Sequence, residues 1–192
     1  MKIKLEQDKI LKIFVGLLIA SIIVFLLGSF ILNSRPYRSV QTAKGTIYSF
    51  REDVKTANKS IVYPNDETLR ERFLDRKLTN ITYIFVPGDS KTNGYYTVWA
   101  VEFGFKLTQF YNEINYVSGE ANIIARPADS TKNISNQPTV LKLIIVPFNQ
   151  SSENKIIVDK NNVYLYGRSP KEMDYVVIKA ILVALGNWTL AS

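Results

Sequence analysis

The sequence contains no cysteine and no histidine among its 192 residues. The absence of cysteine excludes disulfide bonds, thiolate metal ligands and cysteine nucleophiles, and the absence of histidine excludes imidazole ligands. Mechanisms of the Ser-His-Asp and Cys-His kinds are excluded as well, because their general base is missing. Only carboxylate, lysine and tyrosine side chains remain for chemistry. We predict no metal site and no cofactor.

A strong excess of charge of one sign is also lacking. Residues 34–192 contain 20 Lys and Arg against 15 Asp and Glu, a net charge of +5. The densest cluster, LRERFLDRK at 69–77, mixes both signs, which is typical of a solvated helix face rather than of a phosphate-binding stripe. We therefore predict no nucleic-acid partner.

No pattern in the sequence brings two carboxylates together. A glycosidase-type mechanism needs a pair of carboxyl groups that face each other in a cleft. Glu102, Glu113 and Glu120 lie near apolar segments, but nothing in their spacing pairs them, and we expect Glu102 to be solvated. The sequence thus predicts no catalytic residue, and a carboxylate enzyme is the least favoured of the functions considered.

One segment lacks charge altogether. Residues 13–32 read IFVGLLIASIIVFLLGSFIL, and a helix of that length spans about 30 Å, the thickness of a bilayer hydrocarbon core. A signal peptide has a shorter apolar core of about 7–15 residues and ends in small residues, whereas this segment ends in Phe30, Ile31 and Leu32. We predict a retained transmembrane helix that contacts membrane lipid. A cleaved signal and a buried core helix are the alternatives.

The charges around this segment favour a cytoplasmic N-terminus and a domain outside the cytoplasm. Lys and Arg bias sets orientation, and four lysines precede the segment whereas Arg35, Arg38 and Lys44 follow it. Five Asn-x-Ser/Thr sequences in the rest of the chain agree with that placement, although an Asn-rich chain also produces them by chance. The predicted glycosylation sites are Asn58, Asn133 and Asn149.

The chain is expected to comprise four parts. These are a basic N-terminal segment at 1–12, the transmembrane helix at 13–32, a polar linker at 33–45 and one extracytoplasmic α/β domain at 46–192. The fold class is α/β or α+β. We expect one mixed or antiparallel sheet of about six or seven strands, covered by two or more helices, with the C-terminal helix packed on it.

Short segments rich in β-branched and aromatic residues predict the strands, at 46–50, 60–64, 81–88, 121–127 and 139–148, with a hairpin at 155–167. Residues 64–78 predict a helix capped by Asn65. Apolar residues that alternate between 95 and 107 predict a half-buried strand. Its buried face would comprise Thr97, Trp99, Val101, Phe103, Phe105 and Leu107.

The segment SPKEMDYVVIKAILVALG at 169–186 has the signals of a complete helix. Ser169 is its N-cap, Pro170 its first residue, Glu172 completes an S-x-x-E box, and Gly186 ends it. Apolar residues at i, i+4 and i+8 line one face, which we expect to pack flat on the sheet.

About a quarter of the chain, at its C-terminal end, resembles a module of single-pass membrane proteins of small-genome archaea. The shared features are LIIVP at 143–147, the polar loop after it, IIVDKNNVYLYG at 156–167 and a helix that begins SPKEMD. The resemblance implies a membrane-anchored protein and no particular activity. The family often has a glycine after the proline, whereas this chain has Phe148 and Asn149, so no phosphate-binding loop is implied.

Two polar loops are candidates for binding a small ligand or a glycan. One follows the apolar strand at 139–148 and carries Asn149, Ser151 and Asn154; the other, at 86–94, carries Asp89. Loops that follow the strands of an open α/β sheet often bind ligands. Plain connecting loops are the alternative, because neither loop has a G-x-x-x-x-G-K-[ST] motif.

These observations predict a non-catalytic, membrane-anchored protein of the cell envelope. Its partner would be another envelope protein, and its role would be protein–protein interaction or membership of a surface assembly. The alternative is a membrane-tethered binding module for a small ligand or glycan. A large apolar patch on an exposed sheet face would favour the first function. A deep cleft lined by the polar loop residues would favour the second.

Overall fold

The computed structural model describes residues 21–22, 38–75, 77–85, 90–114, 122–127 and 138–191. Of the predicted transmembrane helix only Ser21 and Ile22 are described, and both have helical backbone. The rest of 13–32 lies outside the described ranges. Within those ranges, no helix is both long and apolar enough to cross a bilayer. The chain separates into two compact units, Met1–Pro36 and Tyr37–Ser192.

The described part of the second unit contains nine strands and four α-helices. The strands are β1 (Ser39–Thr42), β2 (Ile47–Ser49), β3 (Ile61–Tyr63), β4 (Asn80–Phe85), β5 (Asn122–Pro127), β6 (Val140–Ile145), β7 (Lys155–Asp159), β8 (Asn162–Tyr166) and β9 (Trp188–Leu190). The helices are α1 (Val54–Ala57), α2 (Asp66–Phe73), α3 (Ser90–Glu113) and α4 (Pro170–Leu185). A 3₁₀ turn, Phe148–Gln150, follows β6.

The fold is mixed α/β, and its strands form two sheets rather than one. The larger sheet has the order β3-β7-β8-β6-β4-β5, and its pairings are parallel except in the β7–β8 hairpin. The smaller sheet, β2-β1-β9, is antiparallel. Strand β1 falls within 33–45, the predicted linker. The strand has only four residues, most of them polar, so its sequence shows no periodic pattern. It forms by pairing with Trp188–Leu190, which lies far away in the sequence.

Helix α4 packs on the larger sheet, as the sequence predicts, and forms the centre of the core. It contacts β7 and β8, and α1, α2 and α3 pack against it as well. The Ser169 Oγ accepts a hydrogen bond from the Glu172 backbone N–H at 3.3 Å, which confirms the predicted cap. Because other helices cover it, α4 is buried from Met173 to Leu185 apart from Tyr175.

Helix α3 occupies the region where the sequence predicts a strand, and that prediction is wrong. Val101 and Phe105, which the strand would bury, are 65% and 70% exposed. The buried residues of α3 recur instead at helical spacing: Tyr96, Trp99, Phe103, Leu107 and Phe110. The apparent alternation arises because apolar residues on the exposed side of the helix fall between those on its buried side. As a helix, α3 packs its buried side against α4.

The other helices and strands predicted between residues 46 and 186 are present with shifted ends. The helix predicted at 64–78 is the shorter α2, and the Asn65 Oδ1 caps it by accepting from the Thr68 backbone N–H at 2.8 Å. The hairpin predicted at 155–167 is β7–β8. The segment between β2 and β3 contains the short helix α1.

Candidate interaction surface

The two faces of the larger sheet have different environments. One face lies under the helices and forms part of the hydrophobic core. The residues of this face in the core are Val62, Ile81, Tyr83, Leu141, Leu143, Ile145, Ile156, Val163 and Leu165. Side chains alternate along a strand, so the residues between these point to the opposite face. Within the described ranges, none of those alternate residues belongs to this core. The residues of the opposite face are therefore not part of the core under the helices.

An apolar row crosses five strands on this second face. The strand registers place Tyr63, Ile157, Tyr164, Ile144 and Ile84 next to one another, from β3 through β7, β8 and β6 to β4. Ile84 is only 1% exposed. The part of the row that solvent can reach therefore spans four strands, β3 to β6, or roughly 14 Å at about 4.8 Å between strands. A shorter row beside it contains Ile61, Lys155 and Tyr166. We use the name tyrosine face for Ile61, Tyr63, Ile144, Ile157, Tyr164 and Tyr166.

The tyrosine face is open to solvent, most of all at the β3 edge. Ile61 and Tyr63 are 47% and 45% exposed, and the other four residues are half-buried. Contiguous apolar patches on a protein surface mark binding sites more often than isolated apolar residues do. Tyrosine is enriched in protein interfaces, because its ring is apolar and its hydroxyl still forms hydrogen bonds. The composition is thus that of an interface.

Charged and polar groups border the tyrosine face. The Lys155 Nζ lies 2.7 Å from Glu153 Oε1 and 5.3 Å from the centre of the Tyr166 ring. The hydrogen bond to Glu153 is the largest cause that raises the pKa of Lys155, so this ammonium stays charged at neutral pH. On the other side of the apolar row lies Asn162 on β8, which pairs with Lys142 on β6. Lys142 is buried, at 7% exposure, so Asn162 is the accessible polar residue of this pair. An apolar centre with a polar rim is the usual anatomy of a protein interface.

The residues predicted to bind a small ligand fall mainly in the loop after β6. The Ser151 Oγ donates to the Glu153 backbone carbonyl at 3.0 Å, and the buried Asn154 Oδ1 has no hydrogen-bond partner among the described residues. The Asn149 backbone belongs to the 3₁₀ turn, and Asp89 lies outside the described residues. Clefts of about 380, 320 and 440 Å³ elsewhere on the domain are lined by other residues. Ligand binding by this loop stays a prediction.

The predicted glycosylation sites differ in their surroundings. Asn58 is exposed after α1, and its Oδ1 accepts a hydrogen bond from Lys179 Nζ at 3.1 Å. A glycan would be attached to the side-chain amide nitrogen rather than to this oxygen. Asn133 and the Asn149 side chain lie outside the description. Glycosylation at all three positions stays a prediction.

Two buried carboxylates that the sequence does not pair share one ion network, whose Arg51 is 42% exposed. Asp174 on α4 accepts from Trp99 Nε1 at 2.6 Å and forms an ion pair with Arg51. Glu102 on α3 lies 3.8 Å from Arg51 Nε and 2.9 Å from Lys106 Nζ. The Glu102 side chain is only 9% exposed, so the expectation that it is solvated is wrong. Two cations neutralise two anions here. Such a balanced network is better suited to a structural role, joining α3, α4 and the segment after β2, than to proton transfer.

The Tyr83 hydroxyl is buried near this network and finds no hydrogen-bond partner in the described part of the chain. Burial is the main cause that raises the pKa of Tyr83 well above its usual value, and the charges of Tyr96, Asp174 and Glu102 raise it further. The phenol therefore stays protonated at neutral pH, and a tyrosinate nucleophile or base is not formed there.

Glu113, at the C-terminal end of α3, connects this helix to the smaller sheet. Its carboxylate accepts hydrogen bonds from the Thr42 hydroxyl and, at 2.9 Å, from the Tyr48 hydroxyl. Burial and then the bond to Glu113 raise the pKa of Tyr48. Glu120 lies outside the described residues. Among the residues that are described, no three acidic side chains come together as a metal site.

No family model, curated protein or solved structure matches the chain. Its function must therefore be inferred from its own residues. The sequence contains one signal of the tyrosine face. In β8, residues alternate between the two faces of the strand, with Tyr164 and Tyr166 on one face and Val163 and Leu165 on the other. Alternation in one strand does not tell which face the helices cover, and the surface was missed for that reason.

Proposed function

We propose that the protein is a non-catalytic, membrane-anchored component of the cell envelope that binds another protein through its tyrosine face. The single observation that carries the proposal is the apolar surface across four strands, β3, β7, β8 and β6, with Ile61 and Tyr63 exposed at its edge. The role is interaction with a second envelope protein or membership of a surface assembly.

The shape of the tyrosine face favours a protein partner over a small ligand. Small-molecule sites are concave and enclose most of the ligand, whereas this face is a row of side chains on an open sheet. A row of roughly 14 Å suits a helix, strand or loop of another protein. The charged pair Lys155–Glu153 at its border would help to orient that partner, because charges at an interface rim act on specificity and association rate.

The proposed anchor is the uncharged segment 13–32. Its length is that of a bilayer core, and it lacks the small residues of a cleavage site. The lysines before it and the Asn-x-Ser/Thr sequences after it favour an extracytoplasmic domain. The resemblance of the C-terminal part to single-pass archaeal membrane proteins agrees with an anchored protein.

Binding is tested with the variant Tyr63→Ala/Tyr164→Ala and a matched control, Lys171→Ala, which alters an exposed residue of α4 outside the tyrosine face. Each tagged full-length chain is purified from detergent-solubilised membranes of its own host, and co-purifying envelope proteins are quantified. Aromatic interface anchors contribute about 2 kcal/mol or more each. We expect at least a tenfold loss of a specific partner with the double variant and no loss with the control. Equal recovery from both would refute the proposed surface.

The anchor is tested separately by alkaline extraction of membranes and by protease treatment of intact cells. We expect the chain to stay in the membrane pellet and residues 34–192 to be cleaved without lysis. Extraction into the supernatant would contradict the anchor, and cleavage only after lysis would contradict the extracytoplasmic placement.

A further inference from the structure

Helix α3 exposes only uncharged residues among those whose side chains the structure describes. Its exposed residues, among those whose side chains are described, are Gly94, Thr97, Val98, Val101, Phe105, Thr108 and Asn112. A solvent-facing helix side is normally charged or polar. Here the charged residues near the middle of the helix, Glu102 and Lys106, are turned inward and pair with each other at 2.9 Å. The outward side is left to uncharged residues, of which Val98, Val101 and Phe105 are large and apolar.

These exposed residues follow the spacing of a coiled-coil seam. Gly94, Val98, Val101, Phe105, Thr108 and Asn112 are separated alternately by four and three residues, which is the a/d spacing of a heptad repeat. Such residues of one helix insert between those of a facing helix. We use the name α3 seam for Val98, Val101, Phe105 and Thr108, its four central positions.

We propose that the α3 seam binds the same seam of a second copy of this chain. The net charge of +5 on residues 34–192 opposes association of two copies. An uncharged seam adds no like-charge repulsion at the contact itself. A different partner selected by charge would need a charged flank on α3. The exposed residues of α3 whose side chains the structure describes offer none.

The small size of the seam makes the dimer dependent on the membrane. The 19 residues from Gly94 to Asn112 form a strip about 27 Å long and about 10 Å wide, or roughly 270 Å². Specific interfaces bury roughly 800 Å² per partner. The seam is therefore too small for a stable dimer in dilute solution, and confinement of both copies in one membrane raises their effective concentration. This step rests on the proposed anchor.

The seam and the tyrosine face belong to different surfaces of the domain. Helix α3 packs against α4, and its buried side contributes Trp99, Phe103 and Leu107 to the core on the helix-covered side of the sheet. The tyrosine face lies on the other side of that sheet. Dimerisation through α3 therefore leaves the tyrosine face free for a different protein.

Absence of native cysteine makes disulfide cross-linking a direct test. Single substitutions Val98→Cys, Val101→Cys, Phe105→Cys and Thr108→Cys are introduced into the full-length chain in membranes, with Lys55→Cys and Lys171→Cys as exposed controls outside the seam. After mild oxidation, non-reducing electrophoresis measures the fraction at twice the 21.9 kDa of the monomer. We expect at least fivefold more dimer from one or more seam positions than from either control. Dilution into detergent before oxidation should lower that yield.

A reporter variant checks that the cross-link depends on the seam. Adding Phe105→Glu to Val98→Cys or Val101→Cys places like charges in the proposed contact, and we expect the dimer to fall to the control level. Equal yields at seam and control positions, cross-links only to a protein of another mass, or no effect of Phe105→Glu would each overturn the proposal. The Tyr63→Ala/Tyr164→Ala variant should still cross-link, and alkaline extraction of the same membranes reports on the anchor. Failure of the α3 seam, of the tyrosine face and of the anchor can therefore be told apart.

Discussion

At the scale of single residues, two buried tyrosines differ in whether their hydroxyl groups form a hydrogen bond. The Tyr48 hydroxyl donates to Glu113 at 2.9 Å, whereas the Tyr83 hydroxyl has no partner within the described ranges. A buried polar group without a hydrogen bond costs stability, and a satisfied one contributes about 1 kcal/mol. We expect Tyr48→Phe to lower the free energy of unfolding by about 1–2 kcal/mol and Tyr83→Phe to leave it unchanged or raise it. Urea unfolding of the purified chain measures both, and an equal loss from the two variants would contradict this account.

The same tyrosines predict that stability falls at alkaline pH. Burial raises the pKa of Tyr48 and Tyr83 in the folded chain, whereas tyrosine in the unfolded chain ionises near pH 10. Above about pH 10 the unfolded chain releases these protons and the folded chain keeps them, so the free energy of unfolding decreases as pH rises. The decrease approaches about 1.4 kcal/mol per pH unit for each tyrosine.

Urea midpoints between pH 8 and pH 11 measure this dependence. Tyr48→Phe should reduce the alkaline slope, because it removes one of the two groups. An identical slope in the variant and the natural chain would show that Tyr48 does not retain its proton in the fold.

At the scale of the element, α3 allows a test that separates helix from strand. Phe103 is fully buried, with its ring centre 5.8 Å from that of Phe73, whereas Phe105 is 70% exposed. Two residues apart, they would share one face of a strand and lie on different sides of a helix. We expect Phe103→Ala to cost about 3–5 kcal/mol and Phe105→Ala less than about 0.5 kcal/mol of unfolding free energy. Similar costs in urea unfolding would favour the strand.

Some elements were predictable because their signals are local. Ser169, Pro170 and Glu172 specify the start of α4, and Gly186 its end, from within a few residues. Gly186 has a φ of +72°, and a Cβ there would lie 2.6 Å from the Arg70 guanidinium. Helix α3 was not predictable in this way. Its exposed Val101 and Phe105 imitate the period of a strand, and only contact with the core distinguishes the two.

At the scale of the whole molecule, the sequence predicts most strands of the larger sheet but not how many sheets there are. The pairing of β1 with β9 joins residues about 150 positions apart, and no local pattern encodes such a contact. The tyrosine face was missed for a similar reason, since it is assembled from four strands whose order is a property of the fold. The predicted loop site and the anchor rest on local composition alone and stay predictions.

The most direct test of the central claim places a photo-activated cross-linking amino acid at position 164, in the middle of the tyrosine face, in full-length chains in intact membranes. Position 55, exposed on α1, is the matched control. We expect irradiation to join position 164, but not position 55, to one envelope protein of defined mass, and the adduct to resist alkaline extraction. The same products from both positions, or none from position 164, would contradict a protein-binding tyrosine face.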